Sequence, residues 1–319
     1  MRVNRGIGGK TEGEVHMKKS MQHRSRQHNP VVYHIMLLPG MSFLLIFSFI
    51  PMLGIVMAFQ DFVPAGGIFG SRWVGLENFK FMFLIPDGKQ VFINTLVIAV
   101  SKIVLSMSVS IVFALLLNEI RHIGYKRAVQ TIVYLPNFLS WVVLAPVVLG
   151  IFDYYGPLAS LFRYFGYEPV LFLASNTWFR PIIVFSDVWK GFGYGAIVYL
   201  ASLTSIDPGL YEAAAIDGAG RWKRLLNITL PSLAPTIVLL SVMNLANILN
   251  AGFDQIFNLY NPMVYETADI IDTYVYRVGM VQRNYSLGTA VGLLKSVLSF
   301  ILILSSNEMA KKLTDRRIF

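Results

Sequence analysis

The stretch YEAAAIDGAGRWKRLLNITLPSLAP occupies residues 211–235 and lies between two strongly hydrophobic segments. It is long and polar, whereas most connections between helices are only a few residues long. Asp207 and Pro208 supply an N-cap and a first-turn proline for an alanine-rich helix over 211–216. Gly218 can end that helix in a left-handed conformation. The stretch is therefore predicted to be a folded element that a partner outside the bilayer grips.

A second, basic helix is predicted to follow the first. It contains Arg221, Lys223 and Arg224, and it precedes Pro231 and Pro235. These two prolines mark the return of the chain to the membrane.

The composition indicates a polytopic membrane protein. The chain of 319 residues is 55% hydrophobic and 14% charged, with a mean hydropathy of +0.57, whereas soluble domains carry about 25% charged residues. A membrane-spanning helix needs about 20 mostly apolar residues. The predicted fold class is therefore an all-α membrane protein. Its six predicted spans cover residues 34–59, 91–118, 128–152, 180–204, 234–258 and 287–308.

The basic residues indicate the orientation of these spans. Of the 27 Lys and Arg residues, 17 fall in the segments 1–33, 119–127, 205–233 and 309–319, and seven fall in the other loops. By the positive-inside rule, the richer side is cytoplasmic. The net charge of +9 thus reports topology rather than nucleic-acid binding. The predicted organisation is a disordered cytoplasmic tail (1–33), a six-span domain (34–308) with the connection 205–233, and a basic cytoplasmic tail (309–319).

The sequence excludes several kinds of chemistry in this chain. There is no cysteine, so thiol catalysis, disulfides and Cys-based metal sites are absent. The five histidines include no His-x-x-x-His pair, so no metal site is predicted. Gly9, Lys10 and Thr11 match the end of a phosphate-binding loop, but Asn4 stands where that loop needs glycine. The chain is therefore predicted to bind no cofactor and to hydrolyse no nucleotide.

The spacing of Glu-Ala-Ala at 212–214, Gly218, Ile228, Leu230 and Pro231 resembles the EAA motif of bacterial ABC importer permeases. The stretches TIVYLPNFLSWVV (131–143), VWKGFGYGAIVYLASLTSIDPGLYEAAAIDGAG (188–220), IDTYVYRVG (271–279) and AVGLLKSVLSF (290–300) resemble the LplB/YteP branch. Members of that branch take up polysaccharide fragments and are related to the first maltose permease subunit. The resemblance covers about residues 34–319. The chain departs from the pattern at Asn137, where that branch has histidine, and at Leu225, where the wider family often has an aromatic residue.

The resemblance implies a type I ABC importer permease fold with a cytoplasmic coupling helix, at 208–217, between spans four and five. The chain would be one of two permease subunits in the bacterial cytoplasmic (inner) membrane. Two copies of a separate ATPase, which uses ATP and Mg, and an extracytoplasmic solute-binding protein would complete the complex. The chain itself would not be an enzyme. The implied ATPase-coupling residues are Glu212, Ala213, Ala214, Asp217, Gly218, Ile228, Leu230 and Pro231. The alternative is that the same helix only packs on its own bundle.

Polar residues in the predicted fifth span are candidates for a substrate pathway. Asn244, Asn247, Asn250 and Asp254 recur at spacings of three and four, so on one helix they fall within an arc of about 120°. Amides both donate and accept hydrogen bonds, which suits sugar hydroxyls. The alternative is that they hydrogen-bond to neighbouring helices.

The predicted fourth span adds Trp189, Lys190 and Tyr194 to the candidate pathway. One interpretation is that the aromatic rings stack on sugars while Lys190 meets an anionic sugar. The other is that Lys190 and Asp187, three residues apart on a helix, neutralise one another. Lys102 and Lys295 also fall within spans, where a charge is costly, so they should face the bundle interior, a partner subunit or water. Three such lysines would suit acidic oligosaccharides such as uronates.

The function predicted from these features is import of sugars, most specifically of oligosaccharides from polysaccharide breakdown. An ion-coupled secondary transporter of small solutes is the alternative. Such a transporter typically shows internal repeats with paired interrupted helices, and the sequence shows no repeat. An intramembrane enzyme has no supporting histidine, cysteine or paired-carboxylate motif. Aromatic residues of the loops 60–90, 153–179 and 259–286 are expected at the membrane interface and at the docking rim for the binding protein.

Overall fold

The structure, a computed structural model, describes residues 30–314. Most of the predicted disordered tail, residues 1–29, and the last five residues of the basic C-terminal tail lie outside the described residues. The chain divides into two units, Met1–Gly54 and Ile55–Phe319.

The described part of the first unit is almost entirely helical. It contains α1 (Pro30–Leu44), a π-helical turn (Leu45–Phe49) and α2 (Ile50–Met52), which leads into a 3₁₀ turn (Leu53–Phe59). The π turn precedes Pro51. Proline has no N–H and its ring crowds the carbonyl four residues earlier, so a local widening of the helix relieves the clash.

Over residues 55–314, the second unit is helical apart from its loops and two short strands, β1 (Gln60–Asp61) and β2 (Arg72–Trp73), which pair antiparallel. Up to residue 204 its helices are α3 (Gly67–Gly70), α4 (Glu77–Leu84), α5 (Pro86–Glu119), α6 (Ile123–Tyr134), α7 (Trp141–Phe152), α8 (Pro157–Tyr164) and α9 (Asn176–Thr204). Beyond it they are α10 (Pro208–Ile216), α11 (Arg221–Arg224), α12 (Leu230–Ala246), α13 (Phe253–Leu259), α14 (Tyr265–Ala268), α15 (Ile271–Tyr276) and α16 (Tyr285–Thr314). Shorter 3₁₀ turns are Leu135–Phe138, Phe172–Ala174 and Pro262–Val264, and further π turns are Leu225–Thr229 and Arg277–Val281.

Five helical stretches within residues 30–314 are long and apolar enough to cross a membrane. They are Tyr33–Phe59, Pro86–Glu119, Trp141–Tyr164, Arg221–Ala246 and Tyr285–Met309. The helix α9 has 29 residues, so its length would also suffice. Its composition is less apolar because it carries Arg180, Asp187 and Lys190.

Two of the predicted spans are not single continuous helices. The predicted span 128–152 is interrupted by the 3₁₀ turn around Pro136, after which Leu139 and Ser140 are extended. A proline cannot donate the hydrogen bond that would continue the helix. The predicted span 234–258 is also wrong in its extent, because the helix that contains its first part runs from Arg221 to Ala246 and then ends.

The packed core of the second unit is built around α5 and α9, which lie along each other. Small residues allow the close approach: the Ser110 hydroxyl donates to the Phe192 carbonyl at 2.9 Å. A Cβ added at Gly195 would lie 2.8 Å from that hydroxyl oxygen. Close packing of small residues and interhelical hydrogen bonds typically hold membrane helices together. The helices α12, α13, α15 and α16 pack near this pair and thereby position the polar groups described below.

Candidate functional site

The connection 205–233 begins with a capped helix, as the sequence predicts. The Asp207 side chain accepts a hydrogen bond from the Gly209 N–H at 2.9 Å, and Pro208 occupies the first turn of α10. Gly218 has φ +72°. The Ala219 N–H donates to the Ala214 carbonyl, and the Gly218 N–H donates to the Ala215 carbonyl. This pair of bonds is the Schellman ending of a helix, so short-range interactions fix both ends of α10.

The surface of α10 is open: none of its residues is buried. Glu212, Ala213, Asp217 and Gly218 are exposed, and Ala214 is half-buried. The Ile216 side chain is 87% exposed. The open surface of α10 therefore carries an exposed apolar side chain next to its alanines.

The second half of the connection is continuous with the helix that follows it. The basic helix α11 passes through the π turn Leu225–Thr229 into α12. As at Pro51, the π turn precedes a proline, Pro231. The exposed Pro231 and the half-buried Ile228 and Leu230 therefore lie at the start of a long helix.

The two halves of the connection are tied together by the hydroxyls of Tyr211 and Thr229, which lie 3.0 Å apart. Beside them lies a cavity of about 560 Å³ lined by the ends of α5 and α11. Its charged lining residues are Glu119, Arg121, Arg221 and Arg224.

The far end of α12 carries the candidate pathway asparagines, but not on one helical face. The helix ends at Ala246, Asn247 caps it with φ −107°, and Gly252 has φ +97°. The Asn247 side chain donates to the Met243 carbonyl at 3.2 Å, and such local bonds compete with helix continuation. We call residues 247–252 the break. The predicted 120° arc is therefore wrong.

The structure nevertheless brings three of the four candidates together. Asn244, Asn247 and Asn250 line a cavity of about 310 Å³ together with Lys102 and Asp187. Asp254 does not line it; it is exposed in the first turn of α13. Asn244 is half-buried, and Asn247 and Asn250 are exposed. The cavity offers amides, a carboxylate and an ammonium group, which can bind a polar, hydroxyl-rich molecule.

The lysines within the predicted spans face other parts of the same chain. Lys102 is buried and donates to the Ala251 carbonyl at 2.8 Å and to Gln255. Its Nζ lies 3.6 Å from a carboxylate oxygen of Asp187. The expectation that such lysines face the bundle interior is confirmed for Lys102, because its two hydrogen bonds and its ion pair are all made within this chain.

Lys190 and Lys295 have partners that the sequence did not indicate. The predicted neutralisation of Lys190 by Asp187 is wrong: Lys190 donates to the Asn137 carbonyl at 3.0 Å, while Asp187 faces Lys102. Lys295 donates to Asp272 at 2.6 Å and to the Asn250 side chain at 2.9 Å. Two of the three lysines are thus already paired with carboxylates.

The aromatic candidates of α9 do not face the asparagine cavity. Trp189 lines a separate, apolar cavity of about 510 Å³ formed with α7 and α8. The Tyr194 ring packs edge-on against Phe138, with 6.4 Å between the ring centroids. The predicted pathway residues therefore separate into the asparagine cavity, an apolar groove and the turn around Asn137.

A polar network between α5, α9 and the segment 266–277 escaped the sequence analysis. Arg180 donates to the Asn94 side chain at 2.5 Å and to the Thr267 carbonyl at 2.9 Å. The fully buried Asn94 also donates to the Asp269 carbonyl at 3.0 Å. The Asp269 carboxylate accepts from Thr273 and pairs with Arg277. An asparagine inside an apolar stretch was the available signal, but its partners lie about 170 residues away.

Burial governs the electrostatics of this network. Burial raises the pKa of the Asp269 carboxyl, although hydrogen bonds from Arg277 and Thr273 oppose the shift. For Arg277, burial acts to lower the pKa, but the hydrogen bond and the charge of Asp269 outweigh it and raise the pKa. Burial, with the nearby Tyr265 and Asp269, raises the pKa of Tyr260 to about 12. The network is therefore a buried ion pair with its own hydrogen bonds, and it joins α5 and α9 to the segment 266–277.

Comparison with known proteins gives these features a common context. The sequence model of the family described as binding-protein-dependent transport system inner membrane component matches residues 108–315. Protein LplB of Bacillus subtilis is 40% identical over 287 residues, which are 90% of either chain. The polygalacturonan/rhamnogalacturonan transport system permease protein YteP of the same organism is 40% identical over 90% of this chain and 89% of its own.

Two solved structures are similar in both fold and sequence. One is a bacterial alginate ABC transporter in complex with an alginate pentasaccharide-bound periplasmic protein. Its chain has a TM-score of 0.80 and 38% identity, over 90% of this chain and 96% of its own. The other is a bacterial ABC transporter involved in the import of the acidic polysaccharide alginate. Its chain has a TM-score of 0.81 and 37% identity, over 94% of this chain and 99% of its own. The chain therefore belongs to the family of binding-protein-dependent transport system inner membrane components, as a permease of the sugar-importing ABC transporters.

Proposed function

We propose that this permease subunit imports oligosaccharides released by polysaccharide breakdown and that its cargo is acidic, of the uronate type. The single observation that carries this proposal is the similarity, at 37–38% identity over nine-tenths of the chain, to transporters of the acidic polysaccharide alginate. YteP, named for polygalacturonan and rhamnogalacturonan transport, supports the same cargo class.

The proposed topology has six spans, both termini in the cytoplasm, and the connection 205–233 on the cytoplasmic side. The five apolar helices, with α9 as the further span, support the count. The excess of Lys and Arg in the termini, the 119–127 loop and the connection supports the orientation. The N-terminal tail 1–33 and the basic C-terminal tail 309–319 would then both be cytoplasmic.

The proposed complex contains this chain, a second permease subunit, two ATPase subunits that use ATP and Mg, and a solute-binding protein outside the membrane. A related transporter with a bound periplasmic protein supports the last component. The absence of a complete phosphate-binding loop from the sequence supports separate ATPase subunits. An ion-coupled secondary transporter, the alternative, has no support from the family assignment.

The proposed coupling element is α10 with the residues around it. Its exposed Glu212, Ala213 and Ile216 would dock in a groove of an ATPase subunit. The capped ends and the bond between Tyr211 and Thr229 make the element stiff. When the ATPase dimer closes on ATP, a stiff helix passes that movement to α9 and α12. Coupling requires an element with two positions that a ligand biases.

The proposed cargo contacts are the amides of Asn244, Asn247 and Asn250, which line one cavity. Lys102 and Lys295 are paired with Asp187 and Asp272, so they supply little free positive charge to an acidic sugar. The support for a uronate cargo therefore comes from the related transporters, and among the three lysines only Lys190 lacks a carboxylate partner within the described residues.

The test is ATP hydrolysis by the complete transporter in proteoliposomes, stimulated by the binding protein loaded with different oligosaccharides. Uronate oligomers are expected to stimulate hydrolysis and to accumulate inside, while neutral oligomers of equal length are not. Stimulation by neutral oligomers alone would refute the acidic cargo and retain the oligosaccharide class. No stimulation by any oligosaccharide would refute the whole proposal.

A further inference from the structure

The break 247–252 is held from two sides by lysines of other helices. From α5, Lys102 donates to the Ala251 carbonyl at 2.8 Å. From α16, Lys295 donates to the Asn250 side chain at 2.9 Å. Backbone carbonyls at an interrupted helix have lost their intrahelical partners and need others when water is excluded. Lys102 supplies such a partner at a position where α12 stops.

The contacts of Lys102 also reach α9. Its Nζ bonds to the Gln255 side chain, whose amide donates to the Ile183 carbonyl at 2.7 Å and to Ser186 at 2.9 Å. Gln255 is fully buried. A single ammonium group therefore connects the break, α5 and, through one glutamine, α9.

The backbone of the break fits closely around this ammonium group. Gly252 has φ +97°, and a Cβ added there would lie 2.8 Å from the Lys102 Nζ. A side chain at 252 would thus be strained by its own backbone and would also push the lysine away. The close packing of Lys102 against Gly252 therefore requires glycine at position 252.

Asp187 completes the surroundings of Lys102 without being its main partner. Its carboxylate lies 3.6 Å from the ammonium, farther than the Ala251 carbonyl, and its side chain is 33% exposed against 8% for the lysine. The carboxylate faces the asparagine cavity. Asp187 therefore balances the charge of Lys102, while the Ala251 carbonyl and Gln255 fix the position of the ammonium group.

We propose that Lys102 is a positioning residue of transport: it holds the break so that Asn244, Asn247 and Asn250 line one cavity, and it does not itself bind the carboxylates of the cargo. This inference rests on the proposed function insofar as the cavity receives sugar. The holding of the break itself can be measured without any cargo. Lys102 thus differs from a cation that binds cargo, because its N–H donors are directed at the protein.

The test uses the complete transporter in proteoliposomes with Lys102→Met, the double variant Lys102→Met/Asp187→Asn, and Gly252→Ala. Lys126→Met, which removes a lysine from α6, is the matched control. Three quantities are measured: hydrogen exchange at residues 247–252, the maximal cargo-stimulated ATPase rate, and the concentration of loaded binding protein that gives half of that rate.

Lys102→Met is expected to raise hydrogen exchange in the break and to lower the maximal rate by about tenfold or more, since small misplacements of binding groups cost that much. The half-saturating concentration should change little, because the loops expected to dock the binding protein (60–90, 153–179 and 259–286) lie outside the break. The double variant removes both charges and should still fail, because Ala251 and Gln255 remain without their donor. Gly252→Ala keeps both charges and should show the same pattern.

Recovery of transport in the double variant would overturn the proposal, because charge balance alone would then explain Lys102. A loss of stimulation in Lys102→Met with unchanged hydrogen exchange at 247–252 would overturn it too, since Lys102 would then act as a cargo contact. Unchanged exchange at 247–252 in both Lys102→Met and Gly252→Ala would also contradict it. If the wild-type complex responds to no oligosaccharide, the proposed function fails, and the exchange measurement still decides the role of Lys102.

Discussion

The connection 205–233 and the break 247–252 lie at the two ends of the same helix, α12, and are held in opposite ways. The connection is fixed by short-range bonds, such as those from Gly209 to Asp207 and from Ala219 to Ala214, and its surface is exposed. The break is fixed by side chains distant in sequence: Lys102 lies 149 residues from Ala251.

This difference indicates what each end can do. An exposed helix that is rigid by itself can dock into a partner and carry its movement. A break whose bonds come from α5 and α16 changes only when those helices shift, so it responds to rearrangement of the bundle. We therefore propose that movement of the ATPase enters α12 at the connection and that the bundle responds at the break.

The largest expected effect on transport is at Gly218, whose left-handed backbone ends the locally fixed helix α10. Gly218→Val places a β-branched residue at φ +72° and should destroy the helix ending. The protein should still reach the membrane, but cargo-stimulated ATP hydrolysis should fall by about tenfold or more, which corresponds to a barrier increase of about 1.4 kcal/mol. Gly220→Val is the matched control, because Gly220 has φ −69° and open space for a Cβ. Normal transport by Gly218→Val would contradict the assignment.

The largest expected effect on stability comes from breaking a buried ion pair, compared with breaking an exposed one. Arg277→Met leaves the Asp269 carboxylate buried without its cation, and loss of one partner of a buried pair costs about 3–5 kcal/mol. Arg72→Met removes an exposed pair with Asp61, 3.7 Å apart, and should cost about 0–1 kcal/mol. Thermal unfolding in detergent measures both. Equal losses would contradict the importance of the polar network.

The same variant predicts a dependence on pH. Because burial raises the pKa of Asp269, its protonated form is favoured in the folded state, and the stability linked to it is lost as pH rises through that raised pKa. Without Arg277 the carboxyl loses the cation that opposes this shift. The deficit of Arg277→Met relative to wild type should therefore shrink as pH falls. A deficit that grows at acid pH would show that the carboxylate is not the source of the instability.

The third effect concerns the cavity at the break. Asn244→Ala removes one amide from its lining and should raise the cargo concentration for half-maximal transport several-fold, since a hydrogen bond is worth about 0.5–1.5 kcal/mol. Asn258→Ala is the control, because that amide bonds to the Asp254 carbonyl of its own helix. Equal affinities in the two variants would remove Asn244 from the cargo site.

The smallest expected effect is at Tyr211. Tyr211→Phe removes the hydroxyl that bonds to Thr229, which should cost about 0.5–1.5 kcal/mol of stability and reduce coupling only slightly. Tyr125→Phe, at an exposed tyrosine, should change neither quantity. A loss of coupling as large as that of Gly218→Val would mean that the bond to Thr229, and not the helix ending, carries the movement.

The features that could be predicted from the sequence are those fixed by short-range interactions. The cap at Asp207, the proline in the first turn and the left-handed Gly218 were all predictable, because each depends on neighbours within a few residues. The family was predictable for the same reason, since its motif is a local spacing of Glu212, Gly218 and Pro231.

The predictions from the sequence were wrong where contacts between distant residues decide the structure. Periodicity placed Asn244 to Asp254 on one helix, but the helix stops at Ala246. One of the two interpretations of Lys190 paired it with Asp187 because they are near in sequence, whereas Asp187 lies 3.6 Å from Lys102 of α5. Asn94 stands out as an asparagine inside an apolar stretch, but its bonds and that of Arg180 to residues 266–269 join positions 87 to 175 residues apart.

The proposed docking of α10 in an ATPase subunit is tested most directly by photo-cross-linking from a single cysteine placed on this helix. The chain has no cysteine of its own, so a cysteine-attached photo-cross-linker marks only the introduced position. Ile216→Cys, at a side chain that is 87% exposed, is compared with Phe69→Cys at a fully exposed side chain of α3. In the complete transporter, we expect cross-links from position 216 to the ATPase subunit that change when ATP is added, and none to that subunit from position 69. No ATPase cross-link from position 216, or equal cross-links from both positions, would contradict the proposed docking.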